Sequence, residues 1–490
     1  MKNRYPIIVS LGLIMVALAG FVSWRCYGRV PHIEDEHAYL FQAKVFADGK
    51  VVAASPPFAR PFQVPFVIDR DGRRFSKYPP GFSFLLALGV LVGLPWIVNA
   101  LCGALVLVAV YLIGADLLGP PVGLCAALLG LLSPLLLLQS SVLMSHVSCC
   151  AALSFFAWTF WRCRDRRRRH PLSYAIGAGL CLGLGVLIRP LTAAGIGAAF
   201  LVLAVVDLFR SPGFFVRRYG VMLASGLLVA VLSPFYSYAA TGDPFTNLYT
   251  MWEQCDTIGF GPGHGTVPTG HSLGISYLNL RRDLGQLREL FLPIPRVLAS
   301  WLGAALLTLG LFSLAWRNAR MLPLLVAPPL LLICAYLAYW VSSGGAYGPR
   351  YYLEGLPWVW LIVAHGLVSL STSRYCRVVT MVGLPIVAVW GIRATTIPQL
   401  RQGQGLYGIT RRDSNTIEAA HLGKALVFVK GSDWTDYGAL SWKNSASLDG
   451  EVVIAASHGL RSDRRVQEFF PGRRVYYYDR SAERLGGPPP

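Results

Sequence analysis

Apolar residues in this chain come in long blocks separated by short polar connections, from Pro6 to about Arg393. A helix needs about 20 mostly apolar residues to cross the hydrocarbon core of a bilayer. Eleven blocks satisfy that pattern and are read as membrane-spanning helices: 6–24, 96–114, 121–138, 141–161, 171–188, 193–209, 219–239, 297–316, 321–341, 354–372 and 378–393. A further apolar segment, 81–94, is about 14 residues long and too short for a full crossing, so it is read as a half-inserted or interfacial helix. The first block follows Lys2 and Arg4, exceeds the length of a signal-peptide core and precedes no small-residue cleavage site. It is therefore expected to be a retained first span with a cytoplasmic N-terminus.

After Arg393 the period changes. Short β-type runs at 425–429, 451–456 and 474–478, with one helical stretch at 462–470, predict a small α/β unit. The expected organisation is mainly α: residues 1–393 form a polytopic transmembrane helical bundle of about eleven spans, with outer loops 25–80 and 241–296. Residues 394–490 form a small soluble extracytoplasmic α/β domain.

Composition agrees. Of 490 residues, 54% are hydrophobic and 14% charged, with a mean hydropathy of +0.50, which excludes an ordinary soluble globular protein. The net charge of +19 suggests a nucleic-acid partner until its placement is considered. Basic runs at 162–169, 210–218, 317–320 and 374–377 sit between spans, where alternate crossing returns the chain to the cytoplasm. This is the positive-inside pattern, and no nucleic-acid partner is expected. Most of the ten cysteines lie within apolar blocks as small hydrophobes, and no disulfide framework is readable.

The topology gathers the chemistry outside. Glu34-Asp35-Glu36-His37-Ala38-Tyr39 opens the first outer loop. Acids at a helix N-terminus complement the macrodipole, which accounts for one or two of the three. Crowded carboxylates raise one another's pKa, which makes a general base near neutrality. The same loop ends in Lys77-Tyr78-Pro79-Pro80-Gly81, at the depth of lipid phosphates; from the residues alone, a snorkelling interfacial lysine beside an aromatic-belt tyrosine is the preferred reading. Arg189-Pro190 and the segment Tyr347-Gly348-Pro349-Arg350-Tyr351-Tyr352 place arginines outside, against the positive-inside bias, and such arginines require an anionic partner. Ser145-His146 carries little weight, and His264 and His271 lie in a Gly/Pro-rich stretch read as a lid. No tight metal-ligand spacing, P-loop, nucleophile elbow or dinucleotide fingerprint is present.

The order of these pieces resembles the GT-C glycosyltransferases, in the branch containing protein O-mannosyltransferases, aminoarabinose transferases and lipopolysaccharide-core transferases. The match rests on Asp35-Glu36-His37-Ala38-Tyr39 with Ala43 and Gly49, on Lys77 to Gly81, on Arg189-Pro190, and on Gly348 to Tyr352. The resemblance implies an inverting transferase moving a sugar from a polyprenyl-phosphate donor to an acceptor on the extracytoplasmic face, in a bacterial inner membrane. It makes Asp35 the catalytic base, with Glu36 as nearest substitute, and Lys77 the contact to the donor phosphate. Glu34, His37, Tyr39, Tyr78, Arg189, Tyr347, Arg350 and Tyr351 are the expected substrate-binding residues. No cofactor follows from it and a divalent metal is left open; the acceptor is unassigned. The competing reading is a secondary transporter or lipid flippase, which predicts mid-span ionisable groups and internal repeats. The spans are nearly free of the former and no repeat is visible.

Overall fold

The computed structural model describes residues 5–167, 169–345, 347–371, 382–431 and 433–487. Proline sets many of its helix starts, because its fixed φ suits the first helical position and its missing N–H is not needed there. In chain order the helices are α1 (Tyr5–Arg25), α2 (Glu34–Ala47), α3 (Pro80–Leu91), α4 (Ile97–Leu117), α5 (Pro120–Leu132), α6 (Pro134–Ser141), α7 (His146–Arg164) and α8 (Pro171–Ile188). Then come α9 (Pro190–Arg210), α10 (Pro212–Ala230), α11 (Leu232–Thr241), α12 (Leu248–Trp252), α13 (Leu273–Leu290), α14 (Arg296–Arg317), α15 (Leu322–Leu337) and α16 (Leu356–Leu370).

Among the described residues seven helices are long and apolar enough to cross a membrane, or eight with the pair α5–α6, which bends by 61°. Eleven spans are therefore not reached by that measure. Of the expected spans, 141–161 is α7, whose apolar stretch is shortened by His146 at its start and by Arg162 and Arg164 in its last turn. Span 321–341 holds a helix of only 16 residues with Pro328 and Pro329 inside it. Span 378–393 lies partly outside the described residues, and the rest holds the eight-residue helix Leu384–Gly391. The basic run 374–377 lies outside them entirely. Short α3 starts beside Tyr78, and the turn after it brings Trp96 against Gly20 and under Arg29.

The helices pack closely where side chains are absent. A Cβ on Gly179 would come within 2.1 Å of the Met222 carbonyl oxygen, so α8 and α10 meet at backbone distance. The 18 residues of α8 separate the turn that holds Arg166 and Arg167 from Arg189 by about 27 Å, close to the thickness of a hydrocarbon core. Basic side chains thus gather at one end of the bundle and the expected site residues at the other.

Two sheets cover that second end. A small antiparallel sheet of β1 (Ala53–Ala54), β2 (Val67–Arg70) and β3 (Arg73–Ser76) carries the chain to Lys77. The C-terminal segment forms a four-stranded sheet of β4 (Ala425–Lys430), β5 (Val452–Ala456), β6 (Arg474–Asp479) and β7 (Arg484–Gly486), in the order β5-β4-β6-β7. The parallel pairs need crossovers, supplied by helices Trp434–Ser441 and Leu460–Phe469. This sheet unit docks on α2, where Lys44 Nζ donates to the carbonyls of Trp442 and, at 2.7 Å, Asn444.

Candidate active site

The chain enters α2 from extended Ile33 (φ −113°, ψ 159°), and Glu34, Asp35 and Glu36 occupy its first turn. Successive helical positions point about 100° apart, so the residues from Glu34 to His37 cannot share one direction. Glu36 turns back into the protein. Its Oε2 accepts from the backbone N–H of His32 (2.8 Å) and Ile33 (3.4 Å) and from the Tyr347 hydroxyl (2.7 Å), while Oε1 accepts from Leu143 N–H (2.8 Å). It staples α2 to the α6–α7 connection and to the segment before Arg350, and does not line a cavity. Burial raises its pKa, and these four hydrogen bonds oppose the rise. His37 turns the other way, toward Trp434 of the C-terminal unit (ring centroids 6.0 Å). Burial, with the charges of His32 and Lys44, pushes its pKa down to about 3, so it is a neutral packing group.

Asp35 and Tyr39, one turn apart, face the bundle interior. Asp35 borders a cavity of about 580 Å³ that also meets Lys77, Tyr78, Arg189, Arg350 and Tyr351. Tyr78 donates to Asp35 Oδ1 at 2.6 Å, and Arg350 Nη2 lies 3.9 Å from Oδ2. Burial and the Asp35 charge hold the Tyr78 hydroxyl well above its ordinary pKa, so it stays a donor. One carboxylate oxygen is thus occupied, and the other faces the cavity with a loosely held cation. Tyr39 sits behind this pair, stacked on Tyr78 at 4.5 Å and hydrogen-bonded to Ser145 Oγ at 3.0 Å.

Lys77 is seated over Phe66 (3.9 Å) and paired with Asp256 Oδ2 at 3.2 Å; Tyr339 donates to the other Asp256 oxygen at 2.9 Å. The Arg189 guanidinium reaches the hydroxyls of Ser145 (3.2 Å), Tyr336 (3.0 Å) and Thr192 (3.3 Å), beside the ring of Tyr351.

Of the expected residues, Asp35, Lys77, Tyr78, Arg189, Arg350 and Tyr351 meet at the cavity. Glu36, His37, Tyr39 and Tyr347 lie behind it as buried supports, and half-buried Glu34 does not border it. Burial, ahead of the Asp35 charge, is the main cause of Glu34's raised pKa. Crowding of like charges is therefore a lesser influence than the sequence suggested. Unforeseen participants are Asp256, Tyr249, Tyr336 and Tyr339 on the walls and Glu354 beneath Arg189, while His146 and His264, given little weight in the sequence, are among the lining. Asp256 sits beside the Gly/Pro-rich lid, where an isolated acid carries no periodic signal. Glu354 follows Arg350 by four residues, a helical spacing that was there to be read.

Among the described residues no group of three His, Cys, Asp or Glu is arranged to hold a metal ion. Asp35 and Asp256 are each engaged by a tyrosine hydroxyl and a cation.

The sequence model of the dolichyl-phosphate-mannose-protein mannosyltransferase family matches residues 77–238. A sequence search of curated proteins finds no match. Among solved structures, ArnT from Cupriavidus metallidurans bound to undecaprenyl phosphate is similar, with a TM-score of 0.60 at 14% identity over 98% of this chain and 90% of that one. Apo ArnT gives 0.56 at 15% identity, covering 98% and 93%. The Archaeoglobus fulgidus oligosaccharyltransferase in complex with Zn and sulfate gives 0.50 at 15% identity, with 92% of this chain on 62% of that chain. The chain has the fold of these GT-C glycosyltransferases, and the resemblance carried by its motifs is borne out.

Proposed function

We propose that this integral membrane protein is a glycosyltransferase that moves a sugar from a polyprenyl-phosphate donor to an acceptor outside the cytoplasm, with inversion. The observation that carries the reading is the meeting of Asp35, Lys77, Arg189 and Arg350 on one cavity of about 580 Å³, at the end of the bundle opposite the basic runs. A prenyl chain lies in the bilayer while its phosphate and sugar enter this cavity. The ArnT structure that shares the fold holds undecaprenyl phosphate, which supports that class of donor. The positive-inside bias puts the basic end, and the N-terminus, in the cytoplasm. By the same family resemblance, the membrane is a bacterial inner membrane.

The step follows from the groups present. The acceptor hydroxyl gives its proton to Asp35 while its oxygen bonds to the anomeric carbon. The bond from that carbon to the phosphate oxygen breaks, and its electron pair leaves with the polyprenyl phosphate. Arg350 and Arg189, with Lys77, neutralise the developing charge. Tyr78 holds one Asp35 oxygen and leaves the other for the incoming hydroxyl. Glu36 fixes the pitch of the helix that carries Asp35, a positioning role.

The test is mass spectrometry of envelope glycans and glycolipids from cells with the gene, without it, and with Asp35→Asn. The variant is expected at wild-type protein level with the glycan profile of the deletion. A wild-type profile from Asp35→Asn defeats the assignment of the base, and identical profiles with and without the gene defeat the transferase reading.

A further inference from the structure

Lys77, Arg189 and Arg350 border the cavity that takes the donor phosphate, so an acceptor has to reach Asp35 from another side. Half-buried Glu34, one position before Asp35, lies off that cavity. Residues three apart on a helix are neighbours, which sets Glu34 beside His37. The His37 ring meets Trp434 of the C-terminal unit at 6.0 Å, and Trp434 meets Tyr407 edge-on, at 5.8 Å and 65°. Exposed Asp433 directly precedes Trp434 and makes no side-chain bond to the helix it caps. Partial burial raises the pKa of the Tyr407 hydroxyl; the charges of Glu34 and Asp35 add to the rise and that of Arg350 opposes it, so the ring stands near all three. The edge of the C-terminal unit thus sets two aromatic rings and an acid over the first turn of α2.

A scattered exposed aromatic needs no explanation. Tyr407, however, is 53% exposed at φ 56° and ψ 25°, a left-handed conformation that a bulky residue adopts only when its surroundings impose it. Arg480 imposes it from beneath. The largely buried guanidinium donates to the Gly408 carbonyl and, at 3.2 Å, to that of Thr435, next to Trp434, and it is paired with Asp436 (3.3 Å) and Asp413 (3.5 Å). One arginine therefore fixes the segments that carry both rings, and the corner between them is formed before any ligand arrives. Such a corner fits a sugar ring. The C–H groups of a pyranose carry weak positive charge and lie on the negative face of an aromatic ring, while its hydroxyls reach the acids alongside. Glu34 serves in either protonation state, as acceptor or as donor. A phosphate fits poorly: acids edge the corner, and Arg480 is already shared between two carboxylates.

We propose that Tyr407, Trp434 and Asp433, together with Glu34, form the acceptor subsite, and that it takes an uncharged saccharide, one hydroxyl of which is thereby presented to Asp35. The inference rests on the glycosyltransferase reading above. It gives neighbouring positions of α2 separate work: Asp35 faces the donor cavity, and Glu34 faces the acceptor.

The experiment measures binding to the purified full-length protein in lipid nanodiscs. Its probes are oligosaccharides released by mild acid from the envelope glycolipids of cells lacking the gene, the same oligosaccharides after dephosphorylation, a Ser/Thr-rich peptide, and a short-chain polyprenyl monophosphate. Wild type is expected to prefer the dephosphorylated oligosaccharides to the phosphorylated ones and to the peptide. Tyr407→Asn should weaken that binding about tenfold, and Glu34→Gln and Asp433→Asn several-fold, with polyprenyl monophosphate bound as by wild type. Asn tolerates the left-handed conformation at 407 and caps a helix as Asp does at 433, so both variants keep the local backbone. If Tyr407→Asn loses the polyprenyl probe as well, Tyr407→Gly decides in its place. A wild type that prefers the peptide or the phosphorylated form, or that binds the polyprenyl probe and no oligosaccharide, overturns the proposal. So does a folded Tyr407 variant with wild-type affinity for the oligosaccharides. Wild type that binds none of the probes defeats the transferase reading itself, and this inference with it.

Discussion

The two ends of the bundle use the same residue types in opposite ways. At the basic end Arg164 closes on Asp207 through two hydrogen bonds of 2.6 and 2.8 Å, joined by the Tyr219 hydroxyl at 2.7 Å. Arg162 closes on Asp116 at 2.7 and 3.2 Å. At the other end Arg350 and Arg189 stand 3.9 Å from Asp35 and Glu354, too far for a hydrogen bond. The closed pairs satisfy both partners and tie helix ends together. The open pairs leave guanidinium N–H groups directed at a cavity, ready for a bidentate anion. Among the arginines, distance more than composition separates the closed pairs from those at the cavity; Lys77, bonded to Asp256 at 3.2 Å, is closed there too.

That contrast can be broken experimentally. The largest effect is expected from Asp35→Asn, which removes the base and should lower transfer about 10²- to 10⁴-fold at unchanged protein level, measured with membranes and a radiolabelled donor. Arg350→Ala comes next, at about 10²-fold in kcat, because the charge it supplies is used chiefly when the phosphate leaves. Asp207→Asn at the basic end should do the reverse: a loss of about 2 kcal/mol in stability, seen as a lower Tm, with kcat unchanged. Equal loss of activity from Asp207→Asn and Arg350→Ala would erase the distinction.

A further expected effect is a pH dependence at the outer end. Burial lowers the pKa of His32 to about 4 and that of His37 to about 3, from an ordinary 6.5. Above pH 6.5 both are neutral whether folded or unfolded, so their contribution is constant. Below it the unfolded chain takes up protons that the folded chain refuses, and stability falls by up to about 1.4 kcal/mol per pH unit for each histidine, down to about pH 4. Thermal unfolding between pH 7 and 4 checks this, and His37→Phe should flatten the slope.

Much of the site was legible because its motifs have a direction. Arginines on the wrong side for topology call for an anionic partner from hydropathy and charge alone, while Lys77 is assigned to a phosphate only through the family resemblance. The partners Asp256, Tyr336 and Tyr339 were not legible, because each is contributed by a segment far from Asp35 in the chain and lies in no motif. Glu36 and His37 were misread for a different reason. Adjacent positions on a helix look like a cluster in sequence, yet the 100° step sends one into a staple and the other into the C-terminal unit.

By itself the sequence determined that the chain lives in a bilayer, which of its ends carries the basic runs, and where the strands of its C-terminal segment lie. Those features follow from local quantities: apolar length, the placement of Lys and Arg, and the period of side-chain exposure. Only the tertiary structure decided which carboxylate faces the cavity, which cations are closed and which stay open, and that a buried glutamate backs Arg189. Such matters depend on distances between residues hundreds of positions apart, set by how helices rotate and pack, and no local pattern encodes them.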